Sequence, residues 1–283
     1  MNNPPRVMAI HDLSGVGKCS LTVILPILSA MGAEVAALPT AILSTHTGDI
    51  AGYTYRDLTD DMLPMAEHWH ALGLTFDALY SGWLGSARQA ALVRTIFAQH
   101  SRPGTITVVD PVMGDHGRLY STYTEERIED MRALCAGADL ITPNLTEAYF
   151  LLGDAYSGDR LTEAQIHRLC TRLCALGAAK AVVTGVSTTP GMIGAAAFDG
   201  SLSLHQTPHI EGKWHGTGDI FCAVLLGSLL RRIPLGGAAA RATAFVHASI
   251  ARTLRLGTDP RFGVDFECGV PALMMEAAND GER

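Results

Sequence analysis

The stretch Gly216-Thr217-Gly218-Asp219 combines residue types that can hold an anion beside a proton acceptor. Two glycines let the backbone turn tightly and come close to a ligand. The run that follows, Ile220 to Leu226, is apolar almost all round and reads as a buried helix over about residues 219–232. The first amides of a helix have no partner inside it, and the dipole is positive at that end. A phosphate, or a charge that develops during a reaction, suits such a turn. Asp219 then reads in two ways, as an N-cap or as the acceptor for a substrate proton.

Two further stretches carry hard oxygen donors. Asp110-Pro111-Val112-Met113-Gly114-Asp115 places two carboxylates around a turn, and Thr142-Pro143-Asn144-Leu145-Thr146-Glu147 adds an amide and a third carboxylate. Magnesium is usually held by one or two carboxylates together with waters and phosphate oxygens, so Asp110 and Glu147 are the metal candidates. Taken singly, Asp110 could be a strand-end turn residue and Glu147 an acid that complements a helix dipole. His46, between Thr45 and Thr47 in a polar loop, could hydrogen-bond a substrate hydroxyl or ring. Gly15-Val16-Gly17-Lys18-Cys19 resembles the end of a P-loop, but Asp12 stands at the first glycine position and Cys19 at the Ser/Thr position. A P-loop is therefore rejected.

The elements that must position these groups alternate along the chain. Strands are expected at 7–11, 34–38, 77–80, 105–109, 139–141 and 180–184. Helices are expected at 18–31 (kinked or split by Pro26), 60–72, 86–100, 125–135, 144–152, 162–176 and 235–256. Residues 12–17 read as a turn and 39–57 as a strand end and loop. Residues 192–198 and 201–206 read as a hairpin around Asp199-Gly200. The tail beyond Gly257 carries little signal. This order predicts a single domain over residues 1–283, an α/β fold with a central, mostly parallel sheet and helices on both faces. His11-Asp12, Tyr80-Ser81-Gly82, Asp110, Thr142–Asn144 and Thr184-Gly185 all follow C-terminal strand ends, the edge where open parallel sheets bind ligands.

At 283 residues with net charge −7, the chain lacks the basic balance of a general nucleic-acid binder. No apolar run reaches the roughly 20 residues of a membrane span, and Met1 to Arg6 has no hydrophobic signal region, so a cytoplasmic protein is expected. The six cysteines sit in apolar, helix-like segments and read as buried thiols; Cys170 and Cys174 have no companion pair at zinc spacing.

Leu43-Ser44-Thr45-His46-Thr47, Ser81-Gly82-Trp83-Leu84-Gly85, the Asp110–Asp115 stretch, Thr142-Pro143-Asn144 with Glu147, and Gly216–Asp219 occur in this order. Together they resemble the ribokinase-like superfamily, and within it the pyridoxal (vitamin B6) kinases, over about Met8 to Leu256. The resemblance implies a three-layer fold, usually a homodimer, and phosphate transfer from MgATP to the 5′-hydroxymethyl of pyridoxal, pyridoxine or pyridoxamine. It makes Asp219 the base and Gly216, Thr217 and Gly218 the anion hole. It assigns Asp110, Asp115, Asn144 and Glu147 to magnesium and phosphate, and Thr142, Thr184 and Tyr120 to ATP. Asp12, Ser14, His46, Thr47 and Tyr80 would line the vitamer pocket, and potassium often assists. The first loop, His11-Asp12-Leu13-Ser14-Gly15, is instead similar to hydroxymethylpyrimidine kinases, which usually carry Cys where this chain has Asp219. A hydroxymethylpyrimidine or sugar kinase on the same fold, or a non-catalytic B6-binding protein, are the alternatives. A dehydrogenase is disfavoured because no G-x-G-x-x-G follows the first strand. The loop Asp115–Thr124, with Gly114 and Gly117 as hinges, is expected to close over phosphates.

Overall fold

The computed structural model describes residues 3–281 except Thr122 and Asp159. Among them a nine-stranded sheet runs in the order β11-β10-β9-β8-β5-β4-β1-β2-β3. Its parallel centre is built from β1 (Arg6–Val16), β2 (Glu34–Thr45), β4 (Ala78–Ser81), β5 (Ile106–Val109), β8 (Leu140–Ile141) and β9 (Ala181–Val186). Three antiparallel strands finish the edges: β3 (Tyr55–Asp57) beside β2, and the hairpin β10 (Met192–Phe198) and β11 (Leu202–Pro208) beside β9. A separate two-stranded ribbon pairs β6 (Gly114–Asp115) with β7 (Arg118–Leu119).

Helices cover both faces, as the alternation of elements predicts. On one side α2 (Thr59–Ala71), α3 (Ala87–His100), α4 (Glu126–Cys135), α5 (Leu145–Leu152) and α6 (Glu163–Ala175) share a core with Met8, Ile10, Leu79, Val109 and Val183. On the other, α1 (Leu21–Ala30), α7 (Thr217–Leu230), α8 (Leu235–Leu256) and α9 (Val270–Gly281) enclose Val7, Ala9, Tyr80, Val108 and Val182. Successive residues of β1 thus serve alternate cores, the period of two that a pleated strand imposes. Both cores are lined from one continuous sheet.

Several boundaries differ from the sequence reading. The first strand does not turn at Asp12 but continues to Val16, paired with an equally extended β2. The register shifts in between: His11 pairs with Pro39, whereas Leu13 pairs with Ile42 rather than Ala41. This bulge re-aims the chain where the polar residues begin. Small and β-branched residues in 39–45 carry no clean alternation because apolar character does not follow burial there: Thr40 is buried, whereas Val16 and Ile42 are open to solvent. Helix α1 begins at Leu21, not Lys18, and runs unbroken through Pro26. Lys18 instead donates its amide to Phe262 O and pairs its ammonium with Asp265 and Glu267. The tail, silent in the sequence, folds as a short 3₁₀ turn at Pro260–Phe262 and as α9. No helix is long and apolar enough to cross a membrane among the described residues.

Helix α7 is buried on every side from Ile220 to Ser228 and packs against α1 and α8. Its position fixes the glycine turn at its start. Leu225→Ala should therefore cost about 2–5 kcal/mol through lost burial and a residual cavity. Urea unfolding should show a lower midpoint with an unchanged slope.

Candidate active site

The glycine turn is held by a close backbone approach. Gly216 caps α7 in the left-handed conformation, φ 76°, and a Cβ there would lie 1.8 Å from Lys18 O. No side chain fits between these two chain segments. Helix α7 starts at Thr217, so Thr217, Gly218 and Asp219 are its first three residues and their amides have no intrahelical partner. Gly218 is exposed and faces open space. Asp219 does not cap this helix. Its carboxylate reaches across to β1: Oδ1 lies 3.0 Å from His11 Nε2, and Oδ2 accepts the Ser20 amide at 2.8 Å. The N-cap reading of Asp219 is thereby replaced by a carboxylate aimed away from its own helix.

His11 links this acid to a second one. Its Nδ1 lies 2.9 Å from Asp12 Oδ1, and its ring is almost fully buried. Burial alone would push the imidazole down; attraction to Asp219 and hydrogen bonding to Asp12 and Asp219 more than offset it and raise the pKa to about 10. His11 is therefore a cation between two carboxylates. Asp12 also accepts the hydroxyls of Ser20 at 2.6 Å and Ser14 at 2.9 Å. Burial would push its carboxyl up, but His11 and the two serines hold it below the usual range.

The second cluster lies on the other side of the same sheet edge. The Cys222 thiol, one turn into α7, is 3.4 Å from Asp110 Oδ2 and 3.1 Å from Thr142 Oγ1. Burial, then the charge of Asp219, raises Asp110 to about 7; His11 pulls the other way. Glu147 closes a capping box with Asn144: Asn144 Oδ1 accepts the Glu147 amide at 2.9 Å, and Glu147 Oε2 accepts that of Asn144 at 2.8 Å. Oε1 accepts the Met113 amide at 3.0 Å. Burial and the nearby Asp110 still drive Glu147 well above the ordinary carboxyl range. Asp110 is thus crowded by Asp219, and Glu147 by Asp110; hard oxygen donors of this kind fit magnesium. Among the described residues no group of three or more His, Cys, Asp or Glu side chains is arranged to hold a metal ion by itself.

The remaining sequence candidates fall around these clusters. Thr184 lies within β9, bridged to Asn144, and its amide donates to Pro143 O. Asp115 is exposed on the β6–β7 ribbon, where His116 and Gly117 both have positive φ, as a tight hairpin turn requires. The predicted flap is thus a small ribbon; Gly117 donates to Thr146 Oγ1 and Asn144 Nδ2 donates to Gly114 O. Tyr120 is exposed just beyond it, and Thr122 lies outside the described residues. His46 is buried, donates Nε2–H to Arg261 O and accepts the Gly48 amide; Thr47 beside it is half-buried. Ser14 is fully buried against Asp12. Tyr80 is enclosed in the core on the α7 side and does not reach the surface. Sequence reasoning missed His11, Ser20 and Cys222 as site residues. His11 had a signal, its place at the end of the first strand; the other two had none beyond proximity to a motif.

A mostly parallel sheet between two helical layers, with a glycine turn and a carboxylate pair near its strand ends, is the three-layer ribokinase-like arrangement. The family model for phosphomethylpyrimidine kinase matches residues 27–262. The pyridoxine/pyridoxal/pyridoxamine kinase of Bordetella avium is 30% identical over 87% of this chain and 85% of its own length. Pyridoxal kinase from Lactobacillus plantarum superimposes with a TM-score of 0.88 at 34% identity, covering 98% of this chain and 99% of that one. A Bacteroides thetaiotaomicron protein assigned as a phosphomethylpyrimidine kinase, crystallised with pyridoxal, gives 0.90 at 37% identity over 95% and 96% of the two chains. The chain belongs to the phosphomethylpyrimidine kinase family and is a kinase of B6 vitamers or of a closely related substrate.

The raised Asp110 makes a stability prediction. Between about pH 4, the ordinary carboxyl range, and its folded value of about 7, the folded state holds a proton that the unfolded chain has released. Stability from this group is therefore lost as pH rises through that window. In thermal melts of the ligand-free protein at about pH 8, Asp110→Asn should melt higher than wild type, by about 2–4 °C per kcal/mol recovered. The gap should close as pH falls towards the unfolded carboxyl range.

Proposed function

We propose that the protein transfers the γ-phosphoryl group of MgATP to the 5′-hydroxymethyl of pyridoxal, pyridoxine or pyridoxamine. The observation that carries this reading is the orientation of Asp219: its carboxylate belongs to the first turn of α7, whose opening amides have no partner within the helix, and is not used to cap it. Phosphoryl transfer demands positioning and charge neutralisation more than covalent chemistry from the protein. The amides of Gly216, Thr217 and Gly218 stabilise charge on the transferring group, while Asp219 accepts the hydroxyl proton. Asp110 and Glu147 hold magnesium, which neutralises phosphate charge. Because each Glu147 oxygen already accepts a backbone amide, this residue suits a metal-bound water better than the ion itself. Thr142, Asn144, Thr184, Asp115 and Tyr120 serve the nucleotide side, and potassium assists there. His46 and Thr47, with Asp12 and Ser14 beneath, bound the vitamer side. In this reading the enzyme works as a homodimer.

A second reading, a hydroxymethylpyrimidine kinase, is favoured by the matching family model and by the His11–Gly15 loop. ATP consumption measured with magnesium and potassium against pyridoxal, pyridoxine, pyridoxamine, hydroxymethylpyrimidine and ribose separates the two. Turnover on a B6 vitamer is expected. Turnover confined to hydroxymethylpyrimidine would move the substrate but keep the mechanism. Asp219→Asn should lower kcat by at least ~10²-fold with ATP binding retained; near-full activity in that variant would remove Asp219 from the base role.

A further inference from the structure

The family resemblance leaves His11 without a role, yet it occupies the centre of the vitamer-side cluster. Three features show that its place is built. Its two ring nitrogens meet two carboxylates from different elements, Asp12 on β1 and Asp219 on α7, at 2.9 and 3.0 Å. The chain opposite is cut away for it: a Cβ on Gly82 would lie 1.9 Å from His11 Cδ2 and 2.1 Å from Nε2. Gly82 is tied there by its amide to Ile10 O. Finally, Asp219 has one oxygen on His11 and the other on the Ser20 amide, so the rotamer of this acid is set from outside its own helix.

We propose that His11 is a positioning residue for phosphoryl transfer, bridging Asp12 and Asp219 so that the end of β1 aims the Asp219 carboxylate at the substrate hydroxyl. The proposal rests on the reading of Asp219 as the base. His11 is itself too buried to touch substrate and acts through Asp219. The groups facing the ring are Asp12 from β1, Asp219 from α7, the Tyr80 ring of β4 with centroids 6.4 Å apart, and the Trp83 amide at 3.2 Å from Nε2. The Asp12 amide, 2.9 Å from Nδ1, and the Trp83 amide are donors only to a neutral ring. The two carboxylates require the doubly protonated one, so the two bonding schemes are distinguishable. A misaimed reacting group can cost about 10²-fold in rate without altering ligand binding.

The test uses the full chain with two variants. His11→Gln removes the double bridge, and Gly82→Ala pushes the ring aside while leaving the histidine and both acids in place. With pyridoxal and MgATP, His11→Gln should lower kcat by about 10²-fold and Gly82→Ala by about tenfold, with KM for both substrates near wild type. A merely structural histidine would instead lower thermal stability with kcat per folded molecule unchanged, and that result overturns the proposal. Ring nitrogen NMR of the ligand-free protein gives a readout independent of activity. Both His11 nitrogens should be protonated at about pH 8, above the ordinary histidine range, and Asp219→Asn should shift the Nε2 signal. A neutral ring there, or no response to Asp219→Asn, also overturns it, even if His11→Gln fails to fold. If Asp219→Asn keeps full turnover while the ring signal responds, the base reading fails and the bridge is structural.

Discussion

The site depends on crowding acids at one sheet edge with few cations to answer them. Asp12, Asp110, Glu147 and Asp219 all gather around the middle of β1, the end of β5 and the starts of α5 and α7, and three of the four are almost fully buried. An isolated buried carboxylate is very costly, so each must find a counter-charge, donors or a proton. The two clusters use different solutions. In the first cluster the His11 ring serves two acids, helped by two serine hydroxyls and the Ser20 amide. In the second cluster Glu147 is met by backbone amides and Asp110 by the Cys222 thiol and the Thr142 hydroxyl, and both still titrate upward. The protein is balanced where it holds its own acids and unbalanced where a metal–phosphate complex would arrive.

Such an arrangement needs backbone segments closer together than side chains allow. Gly216 against Lys18 O and Gly82 against the His11 ring are the two tightest approaches to the site. The first brings the β1–α1 connection against the start of α7, so that the Ser20 amide reaches Asp219. The second lets a bulky ring sit midway along β1, just before the register shift. Lys18, which looked like the remnant of a P-loop, belongs to this scaffold. Its ammonium is neutralised by Asp265 and Glu267, and its amide holds the Phe262 carbonyl, so the segment before α1 is clamped by the chain that follows α8.

Much of the fold was legible in the sequence because the strands from 77 to 184 are short, apolar and regularly interleaved with helices. That rhythm alone predicts a parallel sheet and puts the ligand edge at the strand ends. The extended arm of β1 and β2 was not legible. Its residues alternate neither cleanly nor strongly, since polar Asp12, Ser14 and Thr40 are buried while apolar Val16 and Ile42 face solvent. The tail was silent for a related reason: α9 is held by packing onto α1 and by links from Arg252 and Lys18 that span many residues of sequence. At the site, motif spacing brought Asp219, Asp110 and Glu147 into view. It could not separate a capping role from a chemical one. Glu147 does close a capping box with Asn144, whereas Asp219, at the same helix position but three residues after Gly216, does not. The difference lies in a histidine more than 200 residues away, a partner no local pattern can name.

That difference explains how two similar acids can take different tasks in one pocket. A capping carboxylate is held by amides of its own helix, so it stays fixed to the helix end and shares its lone pairs with the backbone. Asp219 is held from across the sheet, by a ring and an amide that belong to another element. Its own helix keeps three amides free for an incoming anion. Had Asp219 capped α7, it would have occupied the donors that a transferring phosphoryl group needs. In the proposed reaction the bridge through His11 would therefore do more than compensate charge: it would leave the helix amides and the Asp219 carboxylate side by side and uncommitted to each other, the pairing that transfer to a hydroxyl requires.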